Sequence, residues 1–165
     1  MITLGIDPGT ALLGYGVIDG VDEPRVLEFG VVQTGPDQQP QERLETIFDA
    51  VCEIMDQHCP DVLAVEQLFF ARNVTTALAV GQARGVTLLA AAKRKIPVYE
   101  YKPAEVKLAV AGHGGAEKRQ VQEMVRMLLG LDQLPQPDDA ADALAVALCH
   151  AFSSRFIEAT GQGAR

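Results

Sequence analysis

The chain has 165 residues, of which 48% are hydrophobic and 22% are charged, and its formal net charge is −8. This length predicts one domain that buries roughly 70% of the surface of its unfolded chain, and the composition is that of an ordinary globular protein. No stretch reaches the about 18 apolar residues of a membrane span, and the start lacks the basic region of a signal peptide, so we expect a cytoplasmic protein.

The acidic net charge would exclude a general nucleic-acid binder if it were spread evenly, but it is not. Residues 72–126 contain ten lysines and arginines and four acidic residues, so the acidic excess lies in the rest of the sequence. A chain that is acidic overall can therefore still present a basic face to a polyanion. On charge alone, a basic binding face and an ordinary solvated surface explain the pattern equally well.

Hydrophobic periodicity predicts alternating strands and helices. Apolar residues alternate with small or polar ones in the first 34 residues, and helical spacing begins near Leu44 and ends before Pro60. The predicted strands are 2–6, 14–18, 26–34, 62–66 and 97–101, and the predicted helices are 44–55, 75–95, 104–110, 117–129 and 138–152. The pattern predicts an α/β fold with a mixed sheet flanked by helices, in a single domain over residues 1–155 followed by a short polar tail at 156–165.

Four acidic residues stand at the ends of apolar segments, where a carboxylate is costly to desolvate unless a cation compensates it. Asp7 and Glu66 end predicted strands, where ligands of open α/β sheets often bind, and Asp139 and Asp142 open the last helix. Mg²⁺ takes oxygen ligands, and two such ions about 4 Å apart can act on a phosphodiester. The four acids therefore predict a metal-dependent enzyme.

Two of these acids, Asp7 and Glu66, also have an ordinary structural interpretation. Asp7 precedes a Pro-Gly turn, where an aspartate commonly bonds its own backbone, and Glu66 is explained as an exposed residue at a strand end. Asp138 has the features of a helix N-cap. Asp142 is poorly explained by capping, and its Ala and Leu neighbours offer it no basic partner.

Five short segments together resemble one protein family. They are LGIDPG at 4–9, VEQ at 65–67, GQARG at 81–85, AEK at 116–118 and DAADALA at 139–145. In this order and spacing they are similar to the bacterial RuvC Holliday-junction resolvases, and the similarity extends over about residues 2–152. Asp138 departs from the family pattern, because a neutral residue usually stands beside the first aspartate of the last segment.

This resemblance implies a ribonuclease H-like fold and a homodimer that resolves four-way DNA junctions by symmetric, metal-dependent nicking of opposed strands in recombination and repair. It implies two Mg²⁺ ions per subunit, with Mn²⁺ as a plausible substitute, 5′-phosphate products, and a RuvA–RuvB branch-migration complex as a partner. The catalytic and metal-binding carboxylates of the family fall on Asp7, Glu66, Asp139 and Asp142.

The resemblance also implies residues that contact DNA. Phe69 matches the family aromatic that stacks on junction bases, an interaction worth roughly 1–3 kcal/mol, and Phe70 beside it is the other candidate for this role. Lys107 and Lys118 match lysines that face phosphates near the scissile bond. A core position for one phenylalanine and a solvated helix surface for the lysines are the ordinary alternatives.

Two further pairs of residues have less specific assignments. Arg72 and Asn73 follow the two phenylalanines and are candidates to hold backbone phosphates, although an ordinary polar loop has the same composition. Gly81 and Gly85 are four residues apart on one predicted helix, a spacing that lets another backbone approach closely. The family places its dimer contact on this helix, and close packing on the sheet is the alternative.

Three other functions fit parts of the sequence. A ribonuclease H-like enzyme that trims ribosomal RNA precursors also begins with a strand of this type. The segment from Asp7 to Thr10 fits the phosphate loop of actin-like ATPases and sugar kinases, but those proteins need two such domains and this chain is too short. A junction-binding module without enzymatic activity would not need the four acids.

Overall fold

The computed structural model describes residues 1–67 and 74–160. Over these residues the chain forms a mixed sheet flanked by helices, as predicted. The strands are β1 (Ile2–Asp7), β2 (Leu12–Asp19), β3 (Arg25–Gln33), β4 (Val62–Glu66) and β5 (Val98–Tyr101). The helices are α1 (Pro40–His58), α2 (Val74–Arg94), α3 (Pro103–Ala111), α4 (Lys118–Leu128) and α5 (Asp138–Thr160).

The five strands form one sheet in the order β3-β2-β1-β4-β5. The pairs β1–β2 and β2–β3 are antiparallel, whereas β1–β4 and β4–β5 are parallel. Ile6 of β1 is paired with Val65 of β4. Because parallel strands end at the same edge of a sheet, this register puts Asp7 and Glu66 side by side.

Strand alternation decides which face of the sheet each acid occupies. Leu4 and Ile6 are fully buried in a core cluster with residues of α1 and α2. Successive side chains of a strand point to opposite faces, so Asp7 points to the other face, which α5 covers. In β4, Ala64 belongs to the core cluster on the α5 face, and Glu66, two residues later, points the same way.

Glycines in β1 and β2 let α5 lie directly on the sheet. A Cβ atom at Gly5 would lie only 2.8 Å from the backbone nitrogen of Ala147, and one at Gly14 would overlap the carbonyl oxygen of Asp139. Gly14 is the partner of Asp7 across the β1–β2 ladder. The absence of a side chain at Gly14 therefore allows the start of α5 to approach the end of β1.

The observed α5 begins at Asp138, as predicted, but differs from the prediction in its cap and at its other end. Asp138 lies in the first turn of the helix, so the prediction that Asp138 is the N-cap is wrong. The helix continues to Thr160 rather than ending at Phe152, because glycine and proline are absent from residues 153–160. The division into a domain at 1–155 and a tail at 156–165 stays a prediction. None of the helices in the described part of the chain is long and apolar enough to span a membrane.

We expect Gly14→Ala to destabilise the protein by about 1–3 kcal/mol, because the new methyl group overlaps the backbone of α5 and forces the helix away from the sheet. Chemical denaturation measures this change. Gly35→Ala is the matched control, since a Cβ atom there meets only the Gln38 side chain at 3.7 Å. Equal stability of the two variants would contradict the close packing of α5.

Candidate active site

A cleft of about 210 Å³ lies at the edge of the sheet where β4 ends. Two acids and two lysines from four different elements line it: Glu66 of β4, Lys107 of α3, Lys118 of α4 and Asp142 of α5. The remaining lining comes from apolar residues of α3, α4 and α5, and Pro103 at the start of α3 is one of them. The cleft thus combines opposite charges with a partly water-excluding wall, which strengthens their interactions.

Asp7 is the most perturbed acid of this region. Burial, and after it the nearby carboxylates of Asp142, Glu66 and Asp139, raise the pKa of its carboxyl group from the ordinary 3.8 to about 7, while Lys118 partly opposes them. The carboxylates are therefore close enough for mutual repulsion to matter. Without a cation, Asp7 holds a proton near neutral pH for a substantial part of the time.

The same causes act on Glu66 and Asp142, which are both partly buried. Burial raises the pKa of Glu66, as does the charge of Asp142, while Lys107 lowers it. Burial also raises the pKa of Asp142, although its hydrogen bond and ion pair with Lys118 lower it. Each buried carboxylate thus faces one lysine as well as another carboxylate, and the two lysines relieve only part of the repulsion.

Lys118 is held between two carboxylates of α5. Its Nζ atom lies 2.9 Å from Asp142 Oδ2 and 3.4 Å from Asp138 Oδ2. Gln122, one turn further along α4, donates from Nε2 to Asp138 Oδ1 at 2.9 Å. Burial lowers the pKa of Lys118, but its bonds to Asp142 and Asp138 outweigh that effect and raise the pKa overall, so Lys118 is a cation at neutral pH.

The donor set fits a hard divalent cation. Asp7, Glu66 and Asp142 offer only carboxylate oxygens, the ligands that Mg²⁺ prefers, and a bound cation would remove the repulsion that raises their pKa values. Within residues 1–67 and 74–160, no three acids, histidines or cysteines are close enough to hold an ion as they stand.

The structure brings most of the predicted site residues to one place. Asp7, Glu66, Asp142, Lys107 and Lys118 meet at this edge of the sheet. Asp139, the fourth predicted acid, also acts electrostatically on Asp7 and Asp142. Phe69, Phe70, Arg72 and Asn73 lie outside the described residues. Gly81 and Gly85 lie on α2, which contributes to the core on the opposite face of the sheet.

Sequence reasoning missed two contacts in this region. It found no basic partner for Asp142, whereas Lys118 of α4 is bonded to it. It also did not single out Gln122, whose amide fixes Asp138. The available signal was the spacing, because Lys118 and Gln122 are four residues apart on α4 and Asp138 and Asp142 are four apart on α5.

A family model described as Crossover junction endodeoxyribonuclease RuvC matches residues 3–150. The chain belongs to this family. A RuvC of the same description from Thermomicrobium roseum is 59% identical over 155 residues, which cover 94% of this chain and 95% of that protein. The Chloroflexus aggregans RuvC is 54% identical over 164 residues, covering 98% and 99% of the two chains.

A solved RuvC structure has the same fold. The structure of T. thermophilus RuvC in complex with Holliday junction substrate matches with a TM-score of 0.90 and 45% identity. The match covers 94% of this chain and 96% of the other. The predicted family and the predicted ribonuclease H-like fold are both confirmed.

We expect Asp7→Asn to stabilise the metal-free protein at pH 8. The raised pKa means that folded Asp7 binds a proton between about pH 4 and 7 and the unfolded chain does not, so stability falls as pH rises through this window. One pKa unit corresponds to about 1.4 kcal/mol, which sets an upper limit of about 4 kcal/mol on the gain. The two proteins should converge in stability below pH 4.

Thermal unfolding in EDTA across pH 4–8 measures this difference. Asp37→Asn, at an exposed aspartate in the loop before α1, is the matched control and should follow the wild type at every pH. Identical pH dependence of Asp7→Asn and wild type would contradict the repulsion at Asp7.

Proposed function

We propose that this chain is a Holliday-junction resolvase that nicks opposed strands of a four-way DNA junction. The observation that supports this function best is the match over nearly the whole chain to a RuvC structure that holds its junction substrate. The relatives are named as endonucleases of crossover junctions, so the alternative of an RNA-processing nuclease is not favoured. The family is metal-dependent, which agrees with the buried carboxylates.

We assign metal binding to Asp7, Glu66, Asp139 and Asp142, and we propose two Mg²⁺ ions per subunit with Mn²⁺ as a substitute. When bound, these ions supply a nucleophile at neutral pH and stabilise the leaving oxygen of the phosphodiester. The carboxylates must be ionised to act as ligands, so metal binding displaces the proton that burial and repulsion hold on Asp7.

Lys107 and Lys118 supply fixed positive charge to the same reaction. Both line the cleft beside Glu66 and Asp142. A phosphate that enters the cleft would bring its non-bridging oxygens within reach of the two ammonium groups, which stabilise the negative charge that grows as the phosphorus is attacked. Both lysines are therefore proposed as catalytic residues.

The segment after β4 is proposed as the junction-reading part of the protein. It follows Glu66, the last residue of β4 and one of the residues that line the cleft. We propose that Phe69 or Phe70 stacks on unpaired bases of the junction, and that Arg72 and Asn73 hold the adjacent backbone phosphates.

The proposed homodimer uses the exposed face of α2. Leu78 and Leu89 retain 65% and 53% of their surface exposed. Within the described part of the chain, a Cβ atom added at Gly85, which lies between them, would meet no neighbouring atom within 4 Å. Residues 78, 85 and 89 lie on one side of a helix with 3.6 residues per turn, with Gly81 at the edge of that side. A two-fold contact there would place two cutting sites in one assembly, as symmetric nicking requires.

The remaining partner and the location are proposed from the family alone. Resolution requires that the junction be moved and presented to the nuclease, and we propose that a RuvA–RuvB branch-migration complex does this. We propose the cytoplasm as the site of action, because bacterial DNA is recombined there.

We expect Leu89→Glu to convert the dimer to a monomer, because the introduced carboxylates would face each other across the two-fold contact. Size-exclusion chromatography with light scattering measures the mass. Met127→Glu is the control, since Met127 is a comparably exposed apolar residue, with 63% of its surface accessible, on a different helix. A Leu89→Glu protein that keeps the wild-type dimer mass would exclude this face.

We expect Asp7→Asn to slow junction cleavage by on the order of 10²–10³-fold while junction binding is kept, because the variant loses a metal ligand but no basic residue. The assay uses a synthetic four-way DNA junction with a mobile core, Mg²⁺ and a denaturing gel, with binding measured separately in Ca²⁺. Asp37→Asn should cut like the wild type. Paired symmetric nicks by Asp7→Asn at the wild-type rate would rule out the proposed metal site.

A further inference from the structure

Asp138 lies beside the proposed metal site and has a defined place in the structure. Its Oδ1 accepts a hydrogen bond from Gln122, and its Oδ2 lies 3.4 Å from the ammonium group of Lys118. Gln122 is only 7% exposed, so one end of the Asp138 carboxylate is anchored to a buried group of α4.

Lys118 and a metal ion would compete for the same carboxylate. Asp142 Oδ2 is 2.9 Å from the Lys118 ammonium group and is also a proposed metal ligand. An ammonium ion and a divalent cation repel each other at such short range. Metal binding through this oxygen of Asp142 therefore requires Lys118 to move, and the energetic cost of that movement depends on whether another acceptor is within reach.

We propose that Asp138 is a positioning residue that holds Lys118 beside the cleft when Asp142 binds metal. This inference rests on the proposed function, because it needs Asp142 as a ligand and Lys118 at the phosphate. Asp138 already shares Lys118 with Asp142, and the Gln122 anchor keeps its carboxylate in place. Lys118 can therefore release Asp142 and still keep Asp138 as an acidic partner.

The contacts distinguish Asp138 from a metal ligand. The charge of Asp138 raises the pKa of Asp142 but does not act on Asp7 or Glu66, whereas Asp142 acts on both. Each oxygen of Asp138 already faces a nitrogen donor, one from Gln122 and one from Lys118. Asp138 is therefore placed to act on the site through Lys118 and through its charge on Asp142 rather than as a metal ligand.

A double-mutant cycle tests this role. Asp138→Asn is compared with wild type, and the same change is repeated in a Lys118→Met background. Asp132→Asn, at an exposed acid in the loop before α5, controls for the loss of one negative charge. Two readouts are taken for each full-length protein: Mg²⁺ affinity by calorimetry without DNA, and the single-turnover cleavage rate at saturating protein with junction affinity measured in Ca²⁺.

With Lys118 present, we expect Asp138→Asn to weaken Mg²⁺ binding about three- to tenfold and to slow single-turnover cleavage by a similar factor. Junction affinity should change less than twofold. In the Lys118→Met background, Asp138→Asn should change Mg²⁺ affinity and the residual rate by less than twofold. Asp138→Glu, which restores an acceptor, should recover part of both losses, and Gln122→Met should reproduce part of them.

Two results would overturn the proposal. Equal effects of Asp138→Asn in both backgrounds would mean that Asp138 binds the metal or acts by its charge alone. No effect on either readout in the presence of Lys118 would mean that Asp138 is only a surface residue. Failure of the proposed function would look different, because wild type itself would then leave the junction uncut while the Mg²⁺ comparison could still be made by calorimetry.

Discussion

The close approach of α5 to the sheet is the constraint on which the rest of the site depends. Gly5 and Gly14 have no side chains, so the helix backbone lies directly on β1 and β2. Asp142, in the second turn of that helix, is thereby brought within electrostatic range of Asp7 and Glu66. A larger residue at Gly14 would separate the two halves of the acidic set without altering any acid.

Bringing these carboxylates together costs electrostatic free energy, and the neighbouring lysines offset only part of it. Burial and repulsion raise the pKa of Asp7 to about 7, which means that the folded protein without metal is most stable when this group is protonated. Lys118 lowers the pKa of Asp142, and Lys107 lowers that of Glu66. The carboxylates thus still repel each other in the metal-free protein, and a divalent cation would remove that repulsion. Such residual repulsion is expected where the positions of ligands are set by function rather than by stability.

The sequence predicted the elements and the acidic positions because both depend on local patterns. Alternation in β1 and β4 indicates where each strand ends, and the acids follow directly in the sequence. The ion pair of Lys118 with Asp142 could not be predicted in this way, since it depends on how α4 packs against α5. The N-cap prediction for Asp138 failed for a related reason. Capping preferences describe an isolated helix, whereas the Asp138 side chain accepts a hydrogen bond from Gln122 of the neighbouring helix α4.

The site has two parts, and a substitution has a different effect in each of them. The acids that are proposed to bind metal are partly buried against the sheet, and Asp142, Glu66 and Asp139 all act on Asp7, so a change at Asp7 or Asp142 alters the electrostatics of the set. Asp138 lies at the rim and reaches the site through Lys118 and through its charge, which raises the pKa of Asp142. A substitution at this rim position would leave the proposed metal ligands in place. An acid there changes how a lysine is shared between a carboxylate and a phosphate, which alters the balance between metal binding and catalysis rather than the reaction itself.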